Sequence, residues 1–429
     1  MLHRTPAPLC AIALLGLGAL ASAQTVWTVD ESGGGDFLDI QPAIDAAADG
    51  DVIVVEAGVY GPIHIDGKGL RLHATSTAMS IFNDPPAGVG GSAVTIENLA
   101  ADQSVVIDGI NVFSFLLTSP SVVRIERCDG PVWIHRAFVD AFGASALQVT
   151  ASTSVVLDRA FFQTNLTTPD ATGTPQPGAG ARIEDGSRVF AYDSSFRGSH
   201  GPFLIEGAPA VTSAQDGGPG LHVIESEVRL TGGEAFGGSG SSLLAGGCTS
   251  GGFGGAGALL SGAGGPPPVL RFSGTAFFGG AAGQAEPCAP PVQPGAAIEA
   301  GPGTVIDTQQ SARIVDVQGA LLIPGDPVPL LVDGQPGDLV VVLATLGPAP
   351  SVSLPTGFPL GELDLHVTQT PLVPVFTATL TTSSLGASLT APPLPPGIEV
   401  AVPALQTLVV DSTGFPHSGT PVGLTVYQP

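Results

Sequence analysis

The sequence predicts an all-β protein, a right-handed parallel β-helix followed by a small antiparallel β-sandwich-like domain. Three observations point there. Gly (60) and Pro (40) are abundant in a chain of 429 residues of which only 12% are charged, a balance suited to many short strands joined by tight turns and opposite to the charged, apolar-poor composition of disorder. One short unit recurs along the first three quarters of the chain. After about residue 319 that unit stops, and Pro-punctuated strands with apolar/polar alternation replace it.

Residues 1–23 read as a signal peptide. His3 and Arg4 precede an apolar run from Leu9 to Ala21, and Ala21-Ser22-Ala23 supplies the small residues of a cleavage site before Gln24. Cys10 lies ahead of the apolar core instead of at the cleavage point, which argues against a lipoprotein anchor. No later stretch gives about 18 uninterrupted apolar residues. The expected location is outside the cell or on the surface of a bacterium.

The segment "DIQPAIDAAADG" (Asp39 to Gly50) puts Ile40, Ala43, Ile44 and Ala47 on one face, predicting a short amphipathic helix that caps the solenoid. "DVIVVEAGVY" follows as the first coil's strand and turn.

Residues 24–318 are assigned to the β-helix. The repeated unit is an apolar strand, a polar turn, a second apolar strand and then Phe: "VRIERCDGPVWIHRAF" (Val123 to Phe138), "LQVTASTSVVLDRAF" (Leu147 to Phe161), "ARIEDGSRVFAYDSSF" (Ala181 to Phe196), "LHVIESEVRLTGGEAF" (Leu221 to Phe236) and "ALLSGAGGPPPVLRFSGTAF" (Ala258 to Phe277). A unit this small must stack on its neighbours to bury its apolar face. Counting from the repeat, Phe138, Phe161, Phe196, Phe236 and Phe277 are expected to form one internal aromatic ladder. Four insertions, at about 163–179, 198–219, 237–256 and 279–295, all follow that Phe. They are expected to leave one corner of consecutive coils and form a lateral lobe, a place for glycan or protein contact. "NLT" at Asn165 to Thr167 marks a loop.

Residues 319–429 contain "VPLLVDG", "GDLVVVLATLG", "ELDLHVTQ", "IEVAVPALQTLVVDS" and "PVGLTVYQ", spaced as strands of a small antiparallel sandwich. This part has no cysteine and almost no Lys or Arg, and is expected to serve attachment, export or capping.

Gly35-Asp36-Phe37, Gln41, Ala43-Ile44-Asp45-Ala46-Ala47 and Ala57-Gly58-Val59-Tyr60 resemble the opening of the pectin-methylesterase and pectate-lyase-like β-helix proteins. The resemblance covers about thirty residues and implies the pectin lyase fold. A methylesterase needs paired aspartates, oxyanion-stabilising glutamines and an arginine; the chain has Gly61-Pro62 where that family commonly has glutamate, and no counterpart of its later motifs. Polygalacturonase-like hydrolases are matched only by "SHG" (Ser199 to Gly201). A lyase would use calcium-binding carboxylates and an Arg or Lys base. In the repeat, Asp108, His135, Asp158 and Asp193 follow the second strand, Arg136 and Arg159 come next, and Glu97, Glu126 and Glu184 end first strands. Asp158, Asp193, Arg136, Arg159 and His135 are therefore the candidate catalytic set, and Asp108, Asp158 and Asp193 the candidate calcium ligands.

The formal net charge of −24, from 13 Lys and Arg against 37 Asp and Glu, excludes a basic nucleic-acid or anionic-membrane surface. It permits calcium; no other cofactor is implied. Partners are expected among polysaccharides or cell-surface components. The first expectation for function is a secreted or surface-attached protein with a structural, adhesive or glycan-binding role and no preserved catalytic motif. The alternative is a divergent polysaccharide lyase or glycoside hydrolase acting on acidic polysaccharide. Open convergence of the candidate residues in a groove separates the two. In an oxidising compartment Cys248 and Cys288, in consecutive insertions, are expected to form a disulfide, leaving Cys128 reduced and partly buried.

Overall fold

A computed structural model describes residues 24–429 except 76–78, 84–90, 115–120, 143–144, 166–167, 170–174, 202–214, 243–250, 263, 285–290, 309–314, 318–320, 323, 334, 346–351, 356–361, 366–372, 382–383, 392–399, 402–403, 412–415, 424 and 428–429. The chain coils through three parallel sheets, which we call I, II and III in the order the chain visits them. Sheet I has ten strands, from Val26–Val29 to Val305–Thr308, and sheets II and III have eight each, ending at Ala276–Phe278 and Ile298–Ala300. The fold is a parallel β-helix, as the repeat requires. Its shortest coil takes 19 residues, the step from Val52 to its register partner Arg71.

Each strand presents one side to a dry lumen. Val132 and Ile134 of sheet I point in, and Val139, Phe162 and Phe196 of sheet II close the space with Ile125, Val149 and Ile183 of sheet III. The entry to the lumen is closed by the helix Ile40–Ala46, which buries Ile40, Ala43 and Ile44. Its N-terminus is capped by the Asp39 carboxylate accepting from the Ile40 N–H at 2.8 Å. Pro42 falls in the first turn, where no N–H is needed.

The five repeat phenylalanines do not form one column. Phe162, not Phe161, is in register with Phe196, and the two rings stack inside at 5.9 Å. Phe196 is followed in the lumen by Ala235 and then Phe277. Phe138 and Phe161 stand over one another on the outer face of sheet II, 5.3 Å apart and within 2° of parallel. Phe236 is outside too, in register with Arg197 and stacked on Phe278 at 4.5 Å. The turn before the sheet II strand keeps two residues in every copy, but in later copies the Phe stands one or two places further along that strand, and a one-residue shift in a strand moves a side chain to the other face.

The described bases of the insertions do share one corner, between sheets II and III. Segments 198–201, 237–242 and 279–284 leave the solenoid in one layer; segments 178–180, 215–220, 251–257 and 293–297 return in a second. An unbroken relay of amides crosses between the layers: Gly218 donates to Ser199, Gly238 to Gly218, Gly255 to Gly238, Gly280 to Gly255 and Gly295 to Gly280, each at 2.8–2.9 Å. Within the layers Gly201 donates to Ser239 and Gly220 to Ala256. The backbone hydrogen bonds of these segments run from one segment to another. Glycine recurs where a neighbouring backbone passes, as a Cβ on Gly238 would run into the Ser199 carbonyl. Cys248 and Cys288 lie outside the described residues, and Cys128 is a free, fully buried thiol beneath a turn.

After Thr308 the pairing becomes antiparallel, apart from a short parallel pair of Leu321–Leu322 with Thr425–Tyr427. Val315–Val317 and Ser384–Thr390 flank Pro327–Asp333, and Leu339–Thr345 is flanked by Val373–Thr379 and Ala404–Val410, with Pro416–Gly423 at the edge. Leu343 and Ala404, with Val341 and Leu408 beside them, pack against Val106, Trp133, Val156, Phe190 and Tyr192 on the outer face of sheet I. The middle of that sheet is thus covered on both sides.

Candidate functional site

The candidate residues lie where strands of sheet I turn toward sheet II. His73, Asp108, His135 and Asp158 occupy one register position on four successive coils. They alternate imidazole and carboxylate at roughly 4.8 Å per coil. They share the outward side of each strand with Trp133, whose ring meets His135 edge-on at 5.9 Å. His73 Nδ1 and His135 Nδ1 lie 3.3 Å from Asp108 Oδ2 and Asp158 Oδ2. A carboxylate can only accept, so each Nδ1 carries the proton. That leaves His135 Nε2 buried without a protein partner.

From Asp108 onward, the residue after this register position turns the chain through the left-handed region. Gly109, Gly232 and Gly274 do so at no steric cost, while Arg136, Arg159 and Asp193 adopt φ of 50°, 48° and 43°. The conformation sends both arginines back over the column. Arg136 donates from Nε and Nη2 to the two oxygens of Asp108 at 2.7 and 2.6 Å, and Arg159 donates to Asp158 Oδ2 at 3.0 and 2.8 Å. Burial by itself would push the Asp108 carboxyl up. The hydrogen bonds from His73 and Arg136, with the nearby His135 and Arg136 charges, outweigh it and hold the group well below the usual carboxylate range.

The structure therefore brings together Asp108, His135, Asp158, Arg136 and Arg159, but not in an open groove. His135 is 3% and Asp158 1% exposed, and each carboxylate is matched by a guanidinium. Asp193 stands apart. Tyr192 is the register partner of Asp158, and Asp193 falls one residue later, against Gly232, where any Cβ would collide with its carboxylate. Asp108 and Asp158 are two coils apart with His135 between, so the three aspartates do not gather around one ion. Among the described residues the grouping with metal-ligand atoms within 4.8 Å of one another is His64, Asp66 and Glu97 on sheet III. There Glu97 already accepts from Arg127 at 2.6 Å and Asp66 from Asn98 at 2.7 Å.

The outer face of sheet III carries the second charged array. Asp66, Glu97, Glu126, Thr150 and Glu184 are in register. Arg124 and Arg127 pair with Glu126, and Arg182 and Gln148 with Glu184, the last two at 2.9 and 2.5 Å. Burial raises the Glu184 carboxyl, but the Gln148 and Arg182 hydrogen bonds prevail and lower it. Farther along, His222 contacts Ser261 Oγ at 3.0 Å, and burial, aided by Arg182, pushes its imidazole down to about 4.

The lobe was expected from the insertions, but not the backbone hydrogen bonds that order it. Gly198/Gly201, Gly217/Gly220, Gly237/Gly240 and Gly251/Gly254/Gly257 are spaced by three, a regularity that could have signalled it. Compared with known proteins, the sequence matches no family model and no curated protein.

Proposed function

We propose that this chain is a secreted or surface-attached bacterial β-helix protein with a structural, adhesive or glycan-binding role and no catalytic turnover. The observation that carries this is the state of the candidate catalytic column. Its carboxylates are buried, neutralised by arginines, and flanked by an apolar patch that the C-terminal sheet covers. A lyase or hydrolase needs its acid and base within hydrogen-bond reach of substrate, whereas Asp158 is 1% exposed and its Oδ2 already meets His135 and Arg159. The opening motif at Gly35-Asp36-Phe37 and the coil architecture support kinship with pectate-lyase-like solenoids at the level of scaffold. Contact with a polysaccharide or cell-surface partner falls to the glycine lobe, whose backbone amides fix its shape without a conventional core. A Cys248–Cys288 disulfide would tie the lobe's insertions together, which non-reducing peptide mapping checks.

A glycan array with and without calcium, joined to product analysis on pectin and polygalacturonate, tests the proposal. Glycan or cell-wall binding without unsaturated or reducing-end product is the expected result. Unsaturated product that is lost on Arg159→Ala would replace it with the polysaccharide-lyase alternative.

A further inference from the structure

The two ends of the solenoid are built differently. At the start the helix Ile40–Ala46 covers the lumen. At the far end all three sheets stop on unflanked strands, and the lumen opens. Val189, Val228, Leu270 and Ile306 stand over one another in register. The first three are at most 2% exposed, whereas Ile306 is 45% exposed. Val305 (43%) and Phe278 (45%) sit on the same last coil, and Phe278 has Phe236 stacked on it from the coil before.

We propose that two copies of this chain join tail to tail through these last coils. Among the described residues no further coil follows Thr308. Six residues separate Thr308 from Val315, where antiparallel pairing begins, while the shortest coil takes 19, from Val52 to Arg71. The antiparallel sheet of Leu339–Thr345 and Ala404–Val410 lies along sheet I, over Trp133 and Phe190. An occupant must offer three strand edges around an apolar centre at the spacing of one coil. That is the surface each coil already offers the next, and the far end of a second copy offers it again. The helix-capped end does not, so like meets like. The resulting contact is two-fold and closed and does not propagate into a filament. It buries an apolar edge of the kind that soluble β proteins otherwise blunt or cover. One coil's cross-section is small for a specific interface, so association is in the micromolar range.

Sedimentation of the purified protein from about 1 to about 500 µM, with small-angle scattering at the upper end, tests this independently of any glycan binding. The expected result is a monomer–dimer equilibrium whose dimer has close to twice the monomer's longest dimension. Ile306→Asp weakens association at least about ten-fold, and Leu38→Asp, exposed at the capped end, leaves it unchanged. Val305→Arg serves as a second disrupting variant if Ile306→Asp does not fold. A monomer at every concentration, a side-by-side particle, or a dimer sensitive to Leu38→Asp and indifferent to both last-coil variants would overturn it.

Discussion

Arg136 reaches back one coil and holds both oxygens of Asp108. This pair is the most complete ionic contact in the column, since Asp108 also accepts from His73. Asp108→Asn leaves two cationic or polar groups facing a neutral amide in a buried setting, and should cost about 3 kcal/mol at pH 7. Chemical denaturation gives the value. The Asp108 carboxyl is depressed in the fold, so its stabilisation is present above the ordinary carboxylate range and is lost as pH falls below it. The difference between wild type and Asp108→Asn should therefore shrink in strong acid.

His222 titrates with the same sign, through a buried neutral form, in a window nearer neutrality. Its folded value is about 4 against 6.5 for the free side chain. Between those values the unfolded chain binds a proton that the folded chain does not, so stability falls as pH is lowered from about 6.5 toward 4. Replacing His222 with Gln should remove that part of the slope, by about 3 kcal/mol at its limit. Denaturant midpoints of the two proteins across this range decide it.

Phe196 and Phe161 carry the same side chain on opposite sides of sheet II. Phe196→Ala opens a hole in the lumen beside Phe162 and should cost about 3 to 5 kcal/mol. Phe161 lies on the outer face with Arg197 over its ring at 5.0 Å, and its replacement should cost about 1 kcal/mol. Equal losses would contradict the two-face assignment.

Gly238 tests the lobe. A methyl group there meets the Ser199 carbonyl, so Gly238→Ala should destabilise by about 3 kcal/mol and strip hydrogen-exchange protection from the Gly218 and Gly255 amides. Gly91→Ala, with open space around it, should leave the same amides protected.

The solenoid was legible because its signals are local. Short β-branched strands, the Ile40/Ala43/Ile44 face and the recurring Phe each report on a few neighbouring residues. Register was less legible: Asp193 and Phe196 each stand one place beyond their apparent equivalents, because Tyr192 takes the place of Asp158 and Ser195 that of Phe161 while the turns keep their length. The strands at Leu339 and Ala404 were visible, whereas those at Val373 and Ser384 were hidden among Pro, Thr and Ser. That Trp133, Phe190 and Tyr192 face outward onto another sheet could not be read, since a lumen and a covered outer face ask for the same apolar residues. The glycine period was present but resembled disorder, because its stabilising bonds join segments about 20 residues apart.

The alternation His73, Asp108, His135, Asp158 gives the solenoid a parity. Coils in a repeat protein can be excised where the register rejoins, and Val132 to Ser154 is one such unit, because Val155 takes the place of Val132. Removing it alone would seat Asp158 directly on Asp108, with Arg136 gone as well. Removing the unit before it too, from Val105 onward, would seat Asp158 on His73 and restore an imidazole against a carboxylate. Shortening this protein by two coils should therefore be tolerated better than shortening it by one, although the larger deletion discards more of the core.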